Sequence, residues 1–109
     1  MIALSVVLEP TGVPVRHLSY SGKETTYITY SFYNTHGGAY AENREIATVY
    51  HLQVDIWTKD TFEDLADQVR TLMIDAGYYR RDEKEFYESE VQIKHYMFDF
   101  EYAESSQEN

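Results

Sequence analysis

Cysteine is absent from this chain of 109 residues, and proline occurs only at positions 10 and 14. Without thiols there is no disulfide framework, no thiolate zinc site, no iron–sulfur cluster and no cysteine nucleophile. A reducing cytoplasm or any other compartment suits such a composition. No stretch approaches the roughly 18 to 20 apolar residues that a membrane span needs. The apolar start, Met1 to Leu8, has no Lys or Arg before it and no small-residue cleavage site after it. It reads as part of the fold rather than as a secretion signal. Basic residues are also scarce: nine Lys and Arg stand against 19 Asp and Glu, a formal charge of −10. Such a chain repels phosphate backbones and anionic lipid, so neither specific nucleic-acid binding nor membrane association is expected. The plainest meaning of the charge is solubility.

What the chain does hold is enough to build a core, since 43% of residues are apolar and 16% aromatic. The length suits one domain over 1–109, with 103–109 as a frayed polar tail. Ile2 to Glu9 reads as a short helix or a strand, ended by Pro10, Gly12 and Pro14. Val15 to Tyr20 suits a short strand, and Thr26 to Asn34, β-branched and aromatic throughout, a longer one. Thr35 to Asn43 is small, polar and glycine-bearing, and reads as a long hairpin loop.

Arg44 to Thr58 carries the clearest strand pattern. Ile46, Thr48, Tyr50, Leu52, Val54 and Ile56 fall on one face, and His51, Gln53, Asp55 and Trp57 on the other. Asp60 to Ala76 reads as a long amphipathic helix, opened by a capping box of Asp60 with Glu63 and stopped by Gly77. Its apolar stripe is Phe62, Leu65, Ala66, Val69, Leu72, Met73 and Ala76. Tyr78 to Glu85 suits a polar strand. Glu90 to Tyr102 suits the last strand, with a bulge near Lys94 or His95 where the apolar phase changes. The pattern predicts an α+β fold. It is a two-layer sandwich with a mainly antiparallel or mixed sheet of four to five strands, one long helix over 60–76 and a short N-terminal helix.

Reactive groups are sparse. The histidines at 17, 36, 51 and 95 have no histidine partner two, three or four residues away, so no sequence-local metal site exists. His51 and Asp55 share one strand face. A metal or acid–base pair there needs a third group such as His95, and the plainer expectation is a half-buried histidine with a hydrogen bond. The cluster Asp82, Glu83, Glu85, Glu88 and Glu90, mixed with Lys84, reads as a solvated rim. Gly37-Gly38 lacks the lysine and serine of a phosphate loop and reads as a hinge. No serine has a nucleophile-elbow context. No catalytic residue, metal or cofactor is therefore expected, and the chain reads as a non-enzyme. The eleven tyrosines, five phenylalanines and single tryptophan are more telling. Outward-facing tyrosine and tryptophan suit protein interfaces, and Tyr27, Tyr33, Trp57 and Tyr102 are the candidates. The competing reading is a tyrosine-rich core with hydroxyls reaching water.

Five segments carry a resemblance: TGVPV, YITYSFYN, EIATVYHLQVDIWTK, FEDLADQVRTLMIDAGYYR and YESEVQIKHYMFDFEY. From about Thr11 to Tyr102 their order and texture resemble small tail-completion or tail-terminator proteins of long-tailed phages and of prophages of Gram-positive bacteria. The VDIWTK strand end and the GYYR step after the helix are the strongest pieces. The resemblance implies a two-layer fold and a hexameric ring in the virion, at the head-proximal end of the tail. That ring caps the tail tube protein and offers a surface to the head connector or neck protein, after assembly in the bacterial host cytoplasm. It implies no catalytic residues. It also implies that the 35–43 loop, with His36, Gly37, Gly38, Tyr40 and Glu42, projects towards the channel or a neighbouring copy. This chain departs from many relatives in its very short N-terminal helix. Six copies at −10 each would line a ring with −60 formal charges, and acidic walls let DNA pass without binding it. Reversing Glu42 and Glu45 to lysine is then expected to slow ejection. The alternatives are another neck or head-completion component, or a host α+β module that binds a small molecule or dimerises.

Overall fold

A computed structural model of the chain describes residues 1–105. Eight segments follow in order: α1 (Leu4–Val7), a 3-10 turn (Glu9–Thr11), β1 (Val15–His17), β2 (Tyr27–Ala41), β3 (Arg44–Thr58), α2 (Glu63–Asp75), β4 (Tyr79–Glu88) and β5 (Ile93–Ser105). The five strands form one sheet in the order β1-β2-β3-β5-β4. β1 runs parallel to β2, and the other neighbours are antiparallel.

The α+β sandwich with a long helix over 60–76 is not what forms. Strand makes up 53% of the described residues and helix 19%, in short pieces, so the molecule is dominated by its sheet. Two local causes are visible. The helix starts at Glu63, because Phe62 holds the cap position without a side-chain hydrogen bond and Asp60 instead gives its backbone N–H to Thr58 Oγ1. No capping box forms. At 13 residues α2 is about 20 Å long, less than half the reach of a 15-residue strand at about 3.4 Å per residue.

The second cause is that the expected 35–43 loop is strand. β2 runs to Ala41, and the connection to β3 shrinks to Glu42 and Asn43, both with positive φ (53° and 64°). That is the geometry of a type I′ turn, whose twist matches paired strands. Gly37 and Gly38 serve here by lacking side chains, not as a hinge. Neither has positive φ, and a Cβ would press into the Tyr40 hydroxyl at one and Val49 Cγ2 at the other.

The core lies on one face of the sheet. Ile28, Leu52, Val54, Ile56, Phe98 and Phe100 are wholly buried there under Val69 and Met73 of α2 and Leu8. Gly77 ends α2 with φ 98°. Tyr78 N–H bonds Met73 C=O and Gly77 N–H bonds Ile74 C=O, the paired bonds that close a helix on a left-handed residue. Arg70 ties α2 to β4 through two hydrogen bonds to Glu83, at 2.8 and 2.6 Å.

β5 pairs with β3 without interruption from Lys94 to Ser105, so no bulge lies at Lys94 or His95. Val91 lies before the strand, in the turn that contains Gln92 with φ 54°, and Ile93 is the first residue of β5, on the same face as His95. Ala103 to Ser105, expected in a frayed tail, pair with Val49, Thr48 and Ala47. The remainder of that tail, 106–109, lies outside the described residues.

Candidate functional site

The sheet has a second face, and among the described residues no helix lies on it. Alternation sends Tyr27, Thr29, Ser31 and Tyr33 of β2 to this side. Register places Trp57, Asp55, Gln53 and His51 of β3 beside them, then His95, Met97, Asp99 and Glu101 of β5. The open face therefore follows from strand periodicity alone.

One row across it is aromatic. Tyr27, Trp57, His95 and Phe86 stand on four consecutive strands, and Tyr20 packs on Tyr27 from the loop before β2, ring centroids 4.6 Å apart. Trp57 and His95 stack at 3.8 Å with planes 11° apart, Tyr27 follows at 6.3 Å from Trp57, and Phe86 lies 5.3 Å from His95. Hydrogen bonds fix the row from below. Trp57 Nε1–H donates to Thr29 Oγ1 at 2.9 Å. His95 Nε2 meets Asp55 Oδ1 at 2.6 Å, and Gln53 Nε2 donates to both Asp55 oxygens at 3.1 Å. Asp55 is buried, and its acceptors are used by neighbours on the same face, as a buried carboxylate requires. Held this way, the rings form a preorganised, half-exposed surface that loses little side-chain freedom on contact.

A second group lies nearer the hairpin. Tyr33 donates its hydroxyl to Asp99, and burial together with that carboxylate pushes the phenol up to about 12. Its ring packs on His51. His36 and His51 face each other, and Glu101 lies beside His51 with Arg81 beyond it. His36 reaches this face because the register slips between Tyr33 and His36. Without that slip, residues three apart on a strand point to opposite sides.

The candidate interface residues thus divide. Tyr27, Tyr33 and Trp57 share the open face. Tyr102 does not: it follows Phe98 and Phe100 onto the covered side and packs against Tyr78 at 4.8 Å. His36, Gly37, Gly38, Tyr40 and Glu42 lie on the outer half of β2 and its turn, with Tyr40 66% exposed. Of the suspected trio of His51, Asp55 and His95, the fold joins Asp55 to His95 and sends His51 to His36. The sequence reading missed Phe86, 47% exposed at the end of the aromatic row. β4 runs on to Glu88 instead of ending at Glu85, and on such a strand Phe86 shares its face with Lys84 and Glu88.

The sheet also tapers. It has five strands at the Ile28 row and four at the Tyr33 row. Among the described residues three remain at the His36 row, and β2 and β3 alone pair at Tyr40 and Ala41. The molecule is correspondingly long, 53 × 26 × 23 Å, with the hairpin at its narrow end. Among the described residues no helix is long and apolar enough to cross a membrane. No model of a known protein family matches the chain, and no curated protein matches it.

Proposed function

We propose that this chain is a structural phage or prophage protein of the head–tail junction. Copies assemble as a ring that caps the tail tube and offers its other side to the head connector. The observation that carries this reading is the open sheet face with its fixed aromatic row, Tyr27, Trp57, His95 and Phe86, beside a tapering hairpin. Surfaces of this kind bind protein, since large rings already held in place bury area at small entropic cost.

Two unlike edges favour a ring over a symmetric dimer. β1 pairs with β2 only as far as Tyr30, which leaves the outer side of β2 without a neighbouring strand from Ser31 onward, among the described residues. At the opposite margin, β4 carries Tyr79, Phe86 and Tyr87, each at least 47% exposed. A closed ring needs two different patches that meet head to tail, and these margins supply such a pair. Ring closure also prevents open-ended growth from exposed edges. The hairpin with Glu42 at its turn then faces the channel or the next copy, and the acidic chain lets DNA pass.

The test is electron microscopy of particles produced without this chain. Tails of uncontrolled length are expected. Tails of normal length left unattached to heads would favour a neck or head-completion role instead, and unaltered particles would refute both.

A further inference from the structure

His36 and His51 meet through their Nε2 atoms at 3.3 Å. Two readings of that approach are available. As a hydrogen bond it is long, beyond the usual 2.7 to 3.2 Å or so for an N–H donor. As a pair of metal ligands it has the right spacing. Imidazole nitrogens bind zinc at about 2.0–2.1 Å, and two of them at a tetrahedral angle stand roughly 3.3 Å apart. A second feature points the same way. His36 Nδ1 lies 3.0 Å from the Gly37 carbonyl oxygen, which can only accept. That contact places the ring proton on Nδ1 and leaves the Nε2 lone pair facing His51, the arrangement by which backbone carbonyls fix metal-binding imidazoles.

We propose that His36 and His51 form a site for one divalent transition-metal ion of the zinc, nickel or copper class. It spans β2 and β3 at the root of the hairpin. Among the described residues no three histidine or carboxylate side chains already stand in position to hold an ion. Two ligands are in place, and the third is Glu101 of β5. Its Oε1 lies 3.8 Å from His51 Nε2, and its Oε2 lies 3.7 Å from Arg81 Nη1 of β4. Turning that carboxylate from the guanidinium to the ion completes a two-histidine, one-carboxylate set, with water in the remaining position. Imidazole with carboxylate suits these metals and not calcium or magnesium, which take oxygen ligands. The ion would bridge the register slip after Tyr33 and so fix the angle at which the hairpin leaves the sheet. The site stands on this geometry and does not depend on the ring assembly.

The experiment is calorimetric and NMR titration of untagged, chelator-treated protein with zinc chloride, repeated with nickel. One ion per chain is expected, with the histidine ring signals of His36 and His51 moving together. His36→Ala is expected to weaken binding by about 100-fold and Glu101→Gln by about tenfold, in the range that lost ligands and supporting groups produce. His17→Ala, an exposed histidine on β1, should leave binding unchanged. His36 is exposed, so its variant carries the test if His51→Ala does not fold. No saturable binding of one ion per chain would overturn the proposal. So would binding that survives His36→Ala within threefold.

Discussion

Replacing Glu83 by glutamine tests whether one carboxylate fastens the helix to the sheet. Glu83 accepts both arms of the Arg70 guanidinium, the Tyr96 hydroxyl at 2.5 Å and Arg80 at 3.2 Å, with its side chain 12% exposed. Arg70 also takes Asp67 and lies over the Phe98 ring at 5.9 Å. The hydrogen bonds from Arg70, followed by that from Tyr96, lower the Glu83 carboxyl from 4.5 to about 2. At 1.36 kcal/mol per pH unit this corresponds to about 3 kcal/mol. Solvent screening on the Arg80 side reduces it to about 2 kcal/mol. Because the folded value lies below the unfolded one, the contribution is complete above about pH 4.5. It fades as the pH falls towards 2. Glu83→Gln keeps the shape and removes the charge. Urea unfolding at pH 7 should show a loss of about 2 kcal/mol, or about 8–16 °C in Tm for a domain of this size. The gap between the two proteins should close as the pH approaches 2. A difference under about 0.5 kcal/mol at pH 7, or a gap that does not change with pH, would refute the reasoning.

Three further outcomes follow from the structure. The Tyr78 hydroxyl is buried with no hydrogen-bond partner among the described residues, and its burial pushes the phenol up to about 12. Tyr78→Phe should therefore raise stability by about 1 kcal/mol in chemical denaturation, since an unpaired buried hydroxyl is removed. The turn places Glu42 and Asn43 in the left-handed region, where asparagine and glycine fit better. Glu42→Asn combined with Asn43→Gly should add about 1 kcal/mol, read as a higher Tm. The pair Tyr27→Ala and Trp57→Ala should abolish self-association or docking onto tail tubes while the chain still unfolds cooperatively. Assembly unaffected by that pair would remove the open face from the account.

Parts of this architecture could be read from residue order, and the reasons differ by segment. β3 was legible because Leu52, Val54 and Ile56 alternate with Gln53, Asp55 and Trp57, and the covered face must be apolar. The outward placement of Tyr27, Tyr33 and Trp57 follows from the same alternation. Tyr102 stands in phase with Phe98 and Phe100, so its placement on the covered side was available too. The hairpin was illegible: a run such as Thr35 to Asn43 has weak strand propensity, and pairing with β3 overrides it. The length of α2 was overestimated because Asp60 and Glu63 have capping-box spacing, while the Thr58 hydroxyl takes the Asp60 N–H first. The His36–His51 approach depends on a register slip, and nothing in the one-dimensional pattern marks where a strand gains a residue. The Asp55–His95 contact joins β3 to β5 across 40 positions, a separation at which only the fold decides neighbours.

The central claim is that this chain acts by contact between its own surfaces and those of a tail. Native mass spectrometry of the protein mixed with purified tail tubes, joined to electron microscopy of the mixture, tests it most directly. Six copies at one end of each tube are the predicted result. Chains that remain single in solution and leave the tubes bare would contradict it.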